Sequence, residues 1–369
     1  MSFHHPAWIE IDLIQFKNNI QHLKKLFSPS LFCLPVKANA YGHGIVEMAK
    51  AAQEAGVDYL AVAHCQEGVI LRNHGIHIPI LVLGAIHEDQ LNDLLDHRLE
   101  VSLSSQFKAE LLASRAKERN LECLVHLEVD TGMQRTGVRC ETALKLFKYL
   151  EEQPCFQIVG IYSHMALSDT PHHPFNQTQL EAFEELLKQA PFKGKKLLKH
   201  LANSAGALHF SQSRWDMVRA SMISFGYPST KDPRVAPIAP CFSLKAKISY
   251  FKVVEAGVGI SYGHSYITQR KTRIVTVPVG YGDGYRRSLS NKAQVLIRGK
   301  RFPIVGTICM DQFMVDVGEH EVHVGDEVVL IGKQGQEEIS LIEISTLCDT
   351  IPYEILCQFN NRLPRLYLS

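Results

Sequence analysis

Residues 30–44, SLFCLPVKANAYGHG, begin as a buried strand and end as something else. Leu31 to Val36 is apolar with a single proline, and Lys37 closes the run. Asn39, Tyr41, His43 and two glycines follow before a helical pattern starts at IVEMAKAAQEAG (45–56). The same unit then recurs. Short apolar runs lie at 31–37, 59–64, 78–84, 100–104, 122–129, 156–163, 197–202 and 215–220. Between them come stretches such as QTQLEAFEELLKQA (177–190), whose Leu180, Phe183, Leu186 and Leu187 share one helix face. β-rich runs alternating with such helices indicate parallel strands joined by crossovers. Eight repeats predict a closed (β/α)8 barrel rather than an open sheet.

The rhythm stops at GYPSTKDPRVAPIAP (226–240), which carries four prolines and no helical period. Beyond it strand-like pieces dominate, including CFSLKAKISYFKVVEAG (241–257), KTRIVTVPVG (271–280) and AQVLIRGKRFPIVG (293–306), where RGKR reads as a tight hairpin. The expected organisation is an α/β barrel over residues 11–234. A mainly antiparallel β domain would be formed by 235–369, with residues 1–10 adding a strand.

Composition narrows the functional classes. With 46% hydrophobic and 21% charged residues, the chain is of globular type. Lysines and arginines number 39 against 38 acidic residues, which gives no reason to expect nucleic acid or an anionic membrane as partner. The nine cysteines are scattered without a CxxC pair, as expected of buried thiols in a reducing compartment. MSFHHPAWIEID has neither a basic head nor an apolar signal core, so the cytoplasm is the expected location.

A barrel carries its chemistry at the carboxyl ends of its strands. Lys37, His64, Asp130 with Arg135, His164, Asn203 with Ser204 after His200, and Arg219 would all fall there. Each alone has an ordinary structural explanation: a hydrogen-bonded histidine, a rim ion pair, a lysine stem threading outward. Jointly they are expected to converge on one rim. A lysine amine in a mostly apolar mouth can attack an aldehyde and hold it as a Schiff base. Ser204 and the turns after the last two strands supply donors where barrels often hold phosphate. Lysine plus phosphate cradle describes a pyridoxal phosphate pocket and equally a sugar-phosphate aldol site. Composition and placement leave both open. The histidines and Asp130 form no compact ligand motif, so no metal is expected.

VKANAYGHG (36–44), VDTGMQR (129–135), HLANSAG (200–206), MVRAS (217–221), GISYG (259–263), GYGDGY (280–285) and CMDQFMVD (309–316) together resemble the bacterial alanine racemases. The resemblance spans essentially the whole chain. It implies pyridoxal 5'-phosphate as cofactor, with Lys37 the lysine joined to it. Tyr41 and Ser204 match phosphate-contacting positions, and Ser221 and Met222 match backbone donors after the last strand. Arg219 matches the partner of the pyridine nitrogen, and Arg135 the residue near the phenolic oxygen. Tyr262 matches a second catalytic base, supplied by the other subunit of a homodimer. Lys37 would serve the D-alanine face and Tyr262 the L face. His164 and His200 match a hydrogen-bonded chain from that tyrosine to the arginine, and Asn203 lies among the cofactor-side residues. Met310 and Asp311 match substrate-side residues of the partner. The implied activity is interconversion of L- and D-alanine, supplying D-alanine for peptidoglycan. Broader action on serine, or a non-catalytic cofactor carrier on the same barrel, are the alternatives.

Three positions depart from the commonest pattern. Glu128 stands where many members carry a carbamylated lysine, and its permanent negative charge is expected to hold Arg135. Ser221 replaces a frequent glycine. Asn361, in CQFNNRLPR (357–365), replaces an entrance tyrosine of several members and bears on the alanine–serine choice.

Overall fold

The computed structural model describes residues 5–190 and 192–369. The chain divides into a unit of 15–40 with 45–240 and a unit of 1–14, 41–44 and 241–369. The boundary thus falls between Pro240 and Cys241 rather than at 234, and the last four residues of the lysine motif, Tyr41–Gly44, belong to the second unit.

The second unit begins with β1 (Ala7–Asp12). The first unit contains β2 (Leu31–Pro35), β3 (Tyr59–Val62), β4 (Ile80–Val82), β5 (Glu100–Leu103), β6 (Cys123–Asp130), the two-residue β7 (Val138–Arg139), β8 (Phe156–Tyr162), β9 (Leu198–His200) and β10 (Met217–Arg219). Apart from β7, which pairs only with β6, these strands lie in the order β10-β2-β3-β4-β5-β6-β8-β9, all pairs parallel. The two end strands meet as well: Asp216 N donates to Lys199 O at 3.0 Å and Arg219 N to Ala202 O at 2.9 Å. The sheet is therefore a nearly closed eight-stranded barrel. Strands covered on both faces are mostly apolar on both faces, which is why these segments read as apolar runs; β3 and β4 are buried and apolar at every position, while β5 is buried throughout and encloses Glu100 and Ser102.

In the second unit, β1 pairs antiparallel with β11 (Phe242–Lys247) and parallel with the last strand, Arg365–Leu368. These belong to a ten-stranded, mainly antiparallel sheet. The RGKR hairpin joins Gln294–Ile297 to Lys300–Val305 through Arg298 (φ 50°) and Gly299 (φ 72°), the two left-handed residues a type I′ turn requires. Among the described residues, Cys33, Cys65, Cys123, Cys140, Cys155, Cys309 and Cys348 form no disulfide. Among the described residues no helix is long and apolar enough to cross a membrane.

Candidate active site

At the end of β2 the backbone does something its composition does not advertise. Ala38, Asn39, Ala40 and Tyr41 all have φ between 51° and 56°, a left-handed turn built without glycine. Each such residue costs roughly 1–2 kcal/mol against a right-handed conformation, so the surroundings must enforce it. Within the barrel unit Glu67 accepts from Ala38 N at 2.7 Å while its other oxygen takes Ala63 N at 2.8 Å and His64 N at 3.2 Å. Asn39 Oδ1 accepts from Ile45 N at 2.8 Å, and Ala40 N donates to Val36 O at 2.8 Å. Lys37 is thereby held at the carboxyl end of its strand with the chain turned sharply away. Glu67 sits on an amphipathic helix and reads in sequence as a surface acid, so its role there was missed.

Arg219, at the end of β10, is buried at 3% exposure. Nη1 donates to His200 Nδ1 at 2.7 Å and His200 O at 3.2 Å. Nη2 donates to Ser163 O at 2.6 Å, Leu201 O at 3.1 Å and His164 Nδ1 at 3.2 Å. Among the described residues its Nε has no acceptor. Burial pulls the guanidinium pKa below its ordinary value, against the pull of Tyr162, Cys33 and Glu128. His164 is pushed down to about 3 by burial first, then by the charges of Arg219, Arg135 and Lys37. His200 is held well below the usual histidine range by burial and by Arg219. Both imidazoles are neutral, each turning the Nδ1 lone pair to the guanidinium.

At the turn after β10, Ser221 N donates to Ser204 Oγ at 2.9 Å, so this expected backbone donor already has an acceptor. Met222 and Ile223 are buried, and among the described residues their N–H groups find none. Two buried donors beside a serine hydroxyl suit the phosphate of pyridoxal phosphate, and a donor-only guanidinium at the same rim suits its pyridine end. The residues of the barrel unit fit that cofactor.

Several expected site residues do structural work. Asn203 caps the helix that starts at Ser204, accepting from Gly206 N at 2.9 Å and Ser168 Oγ at 2.8 Å. Asp130 holds its own turn through Gly132 N at 2.8 Å and Gln134 N at 3.1 Å. His64 is an exposed residue at the start of the following helix. The expected Glu128–Arg135 brace is corrected: among the described residues these two form no ion pair. Glu128 instead accepts from Thr136 Oγ1 at 2.7 Å, while Arg135 is exposed. Burial raises the Glu128 pKa, with Thr136, Arg219, Tyr162 and Arg135 opposing. Its charge acts on the arginines through space rather than by contact. Because that charge needs no carbon dioxide, bicarbonate added to carbonate-depleted enzyme is expected to leave the rate unchanged; a severalfold rescue would refute this.

In the second unit, Tyr41 packs edge-on to Tyr353 with ring centroids 5.9 Å apart. Gly42 is tight by necessity, since a Cβ there would lie 2.2 Å from Leu356 O. Tyr262 is 74% exposed. Its loop is pinned from both sides: Ser261 Oγ donates to Thr307 O at 2.6 Å and Thr307 Oγ1 to Tyr262 O at 2.9 Å. Tyr262, Tyr281, Met310 and Asp311 line an open groove of about 1240 Å³. Asp311 accepts from Arg362 Nη2 at 2.7 Å, and Asn361 beside it is exposed. Tyr285, by contrast, is core, stacked on Phe313.

A parallel barrel ending its first strand in lysine, with a buried arginine and anion-suited donors at the same rim, followed by an antiparallel β unit, defines the class of lysine-dependent barrel enzymes with an appended β domain. Two family models match within it: alanine racemase, N-terminal domain, over residues 11–228, and alanine racemase, C-terminal domain, over 241–367. The chain belongs to the alanine racemase family, and membership implies a pyridoxal phosphate cofactor. It is 43% identical to the alanine racemase of Symbiobacterium thermophilum, over 98% of this chain and 97% of that one. It is 39% identical to that of Desulfovibrio desulfuricans over the full length of both. Among solved structures, the alanine racemase of Clostridium difficile 630 superposes with a TM-score of 0.94 at 35% identity, covering 100% of this chain and 97% of that one. The enzyme from E. faecalis superposes at 0.93 with 34% identity over the whole of both.

Proposed function

We propose that this chain is a pyridoxal phosphate-dependent racemase of alanine, acting as a homodimer in the cytoplasm and supplying D-alanine for cell-wall peptide. One observation carries the reading: Lys37, Arg219 with its two neutral histidines, and the unpartnered Met222 and Ile223 donors occupy the carboxyl ends of β2, β8, β9 and β10 of one barrel.

Lys37 would hold the cofactor covalently, Ser204 with the Met222 and Ile223 N–H groups would bind its phosphate, and Arg219 would face its ring nitrogen. The cofactor supplies an electron sink that acidifies the substrate α-carbon. The protein must then remove a proton from one face and return one to the other, which two fixed bases do without either crossing the plane. Lys37 Nζ serves the D face. Tyr262 Oη of a second copy serves the L face, consistent with its exposure and its place in an open groove. Arg219, permanently cationic, disfavours a second positive charge beside it. This restrains the sink and discourages transamination. Neutral His164, accepting from Arg219 at Nδ1, keeps a proton on Nε2 to donate.

In heavy water, both alanine enantiomers are expected to gain α-deuterium and converge to a racemic mixture. L-serine, tested in parallel because of Asn361, should exchange more slowly. No α-exchange with alanine would refute the proposal, and faster exchange with serine would move it to the broader substrate class.

A further inference from the structure

The hydrogen bonds from Arg219 do not stop at His200. His200 Nε2 lies 3.1 Å from His126 Nδ1, and His126 Nε2 lies 2.7 Å from Glu100 Oε2. All four side chains are buried, at 0 to 3% exposure. The chain runs from the first residue of β5, at the amino end of the barrel, through β6 and β9 to the last residue of β10 at the rim. The barrel is shaped around it. β8 shifts register opposite His126, and Gly160 stands where a Cβ would lie 2.5 Å from His126 Nδ1. Tyr162 stacks on His200 at 4.7 Å with rings 13° from parallel, and its hydroxyl donates to Ser102 Oγ at 2.8 Å.

The ends of this chain decide everything between them. A guanidinium only donates, an ionised carboxylate only accepts, and a neutral imidazole does one of each. Two neutral imidazoles between such ends satisfy all three links in a single way. Arg219 Nη1–H donates to His200 Nδ1, His200 Nε2–H to His126 Nδ1, and His126 Nε2–H to Glu100. Should the acceptor at position 100 be lost, His126 is free to reverse and donate from Nδ1. His200 must then accept at Nε2 and carry its proton on Nδ1, donor against donor at 2.7 Å from Arg219.

Building on the racemase reading above, we infer that Glu100 is a positioning residue for the reaction. It is the acceptor that fixes the direction of the His126–His200 chain and so anchors the Arg219 guanidinium at the rim. Glu100 makes no contact with substrate in this scheme and acts only through the two imidazoles.

The test is ¹⁵N NMR of histidine in the holoenzyme, which reads tautomers without turnover, joined to steady-state kinetics. In the wild type, His126 and His200 are expected as neutral Nε2–H tautomers. Glu100→Gln keeps the volume but offers either a donor or an acceptor, so a second population with Nδ1–H should appear. The kcat for alanine should fall about tenfold, the low end of what orienting partners of histidine are worth. KM should stay within about twofold, since the substrate-facing atoms are unchanged. Glu100→Asp should retain the wild-type tautomers. Wild-type histidines in the other tautomer or doubly protonated near neutral pH would overturn the inference whether or not any variant folds. So would Glu100→Gln with wild-type tautomers. A wild type that fails to racemise alanine would instead overturn the function, leaving the NMR to judge Glu100.

Discussion

Lys37→Ala is expected to lose racemisation of alanine by roughly ten-thousandfold or more, because one replacement removes both a covalent anchor and a base. The fold should survive it. Lys37 lies beyond the last hydrogen-bonded residue of β2, and the turn after it is held by Glu67, Asn39 and Val36 rather than by the lysine side chain. The variant's thermal transition should therefore stay within a few degrees of the wild-type apoprotein. That separates chemical loss from unfolding. Borohydride reduction of the wild-type holoenzyme followed by peptide mapping should place the cofactor on the peptide bearing Lys37. A label on another lysine, or a variant retaining a tenth of wild-type activity, would remove Lys37 from its role.

The barrel was legible because parallel strands buried on both faces leave a continuous apolar signature, and the eight barrel strands, β2 to β10 without β7, all begin within two residues of the starts of the runs seen in the sequence. The rim was legible for a related reason: a charged or polar residue closing an apolar run has few places to go but the strand end. What stayed hidden depends on partners distant in sequence. Nothing in Ala38, Asn39 and Ala40 announces a left-handed turn, since local propensity favours the opposite hand; the acceptor that enforces it comes from Glu67, on the next crossover. Glu100 opens a strand and reads like a charge at a barrel edge. Only the pairing of β5 with β6 brings it within 2.7 Å of His126. The Glu128–Arg135 pairing followed charge logic alone, and the nearer hydroxyl of Thr136 took the carboxylate instead. The role proposed for Tyr262 rests on the family resemblance, since an exposed tyrosine among glycines does not declare it by itself.

Tyr262→Phe tests the most demanding part of the proposal, that the second base comes from a second chain. A tyrosine 74% exposed in the single chain contributes little to folding, so its loss should register in chemistry. Removing one general base is expected to cost roughly a hundred- to ten-thousandfold in racemisation. The loss should be one-sided: α-deuterium exchange into D-alanine continues through Lys37, while exchange into L-alanine collapses. Equal losses on both enantiomers would mean that Tyr262 shapes the site without serving as a base. Subunit origin is then decided by mixing. Under the proposal, Lys37→Ala and Tyr262→Phe homodimers should each retain at most about a hundredth of wild-type activity. If the tyrosine acts across the dimer, a heterodimer has one site carrying both defects and one carrying neither. Random re-association of an equimolar mixture makes half the dimers mixed, so about a quarter of wild-type activity should return, as two-fold symmetry dictates. If Tyr262 instead served its own barrel, every site in the mixture would keep one defect and nothing would return. The exposed groove formed by Tyr262, Tyr281, Met310 and Asp311 argues for the first outcome, because a base left facing open water would have no substrate to act on.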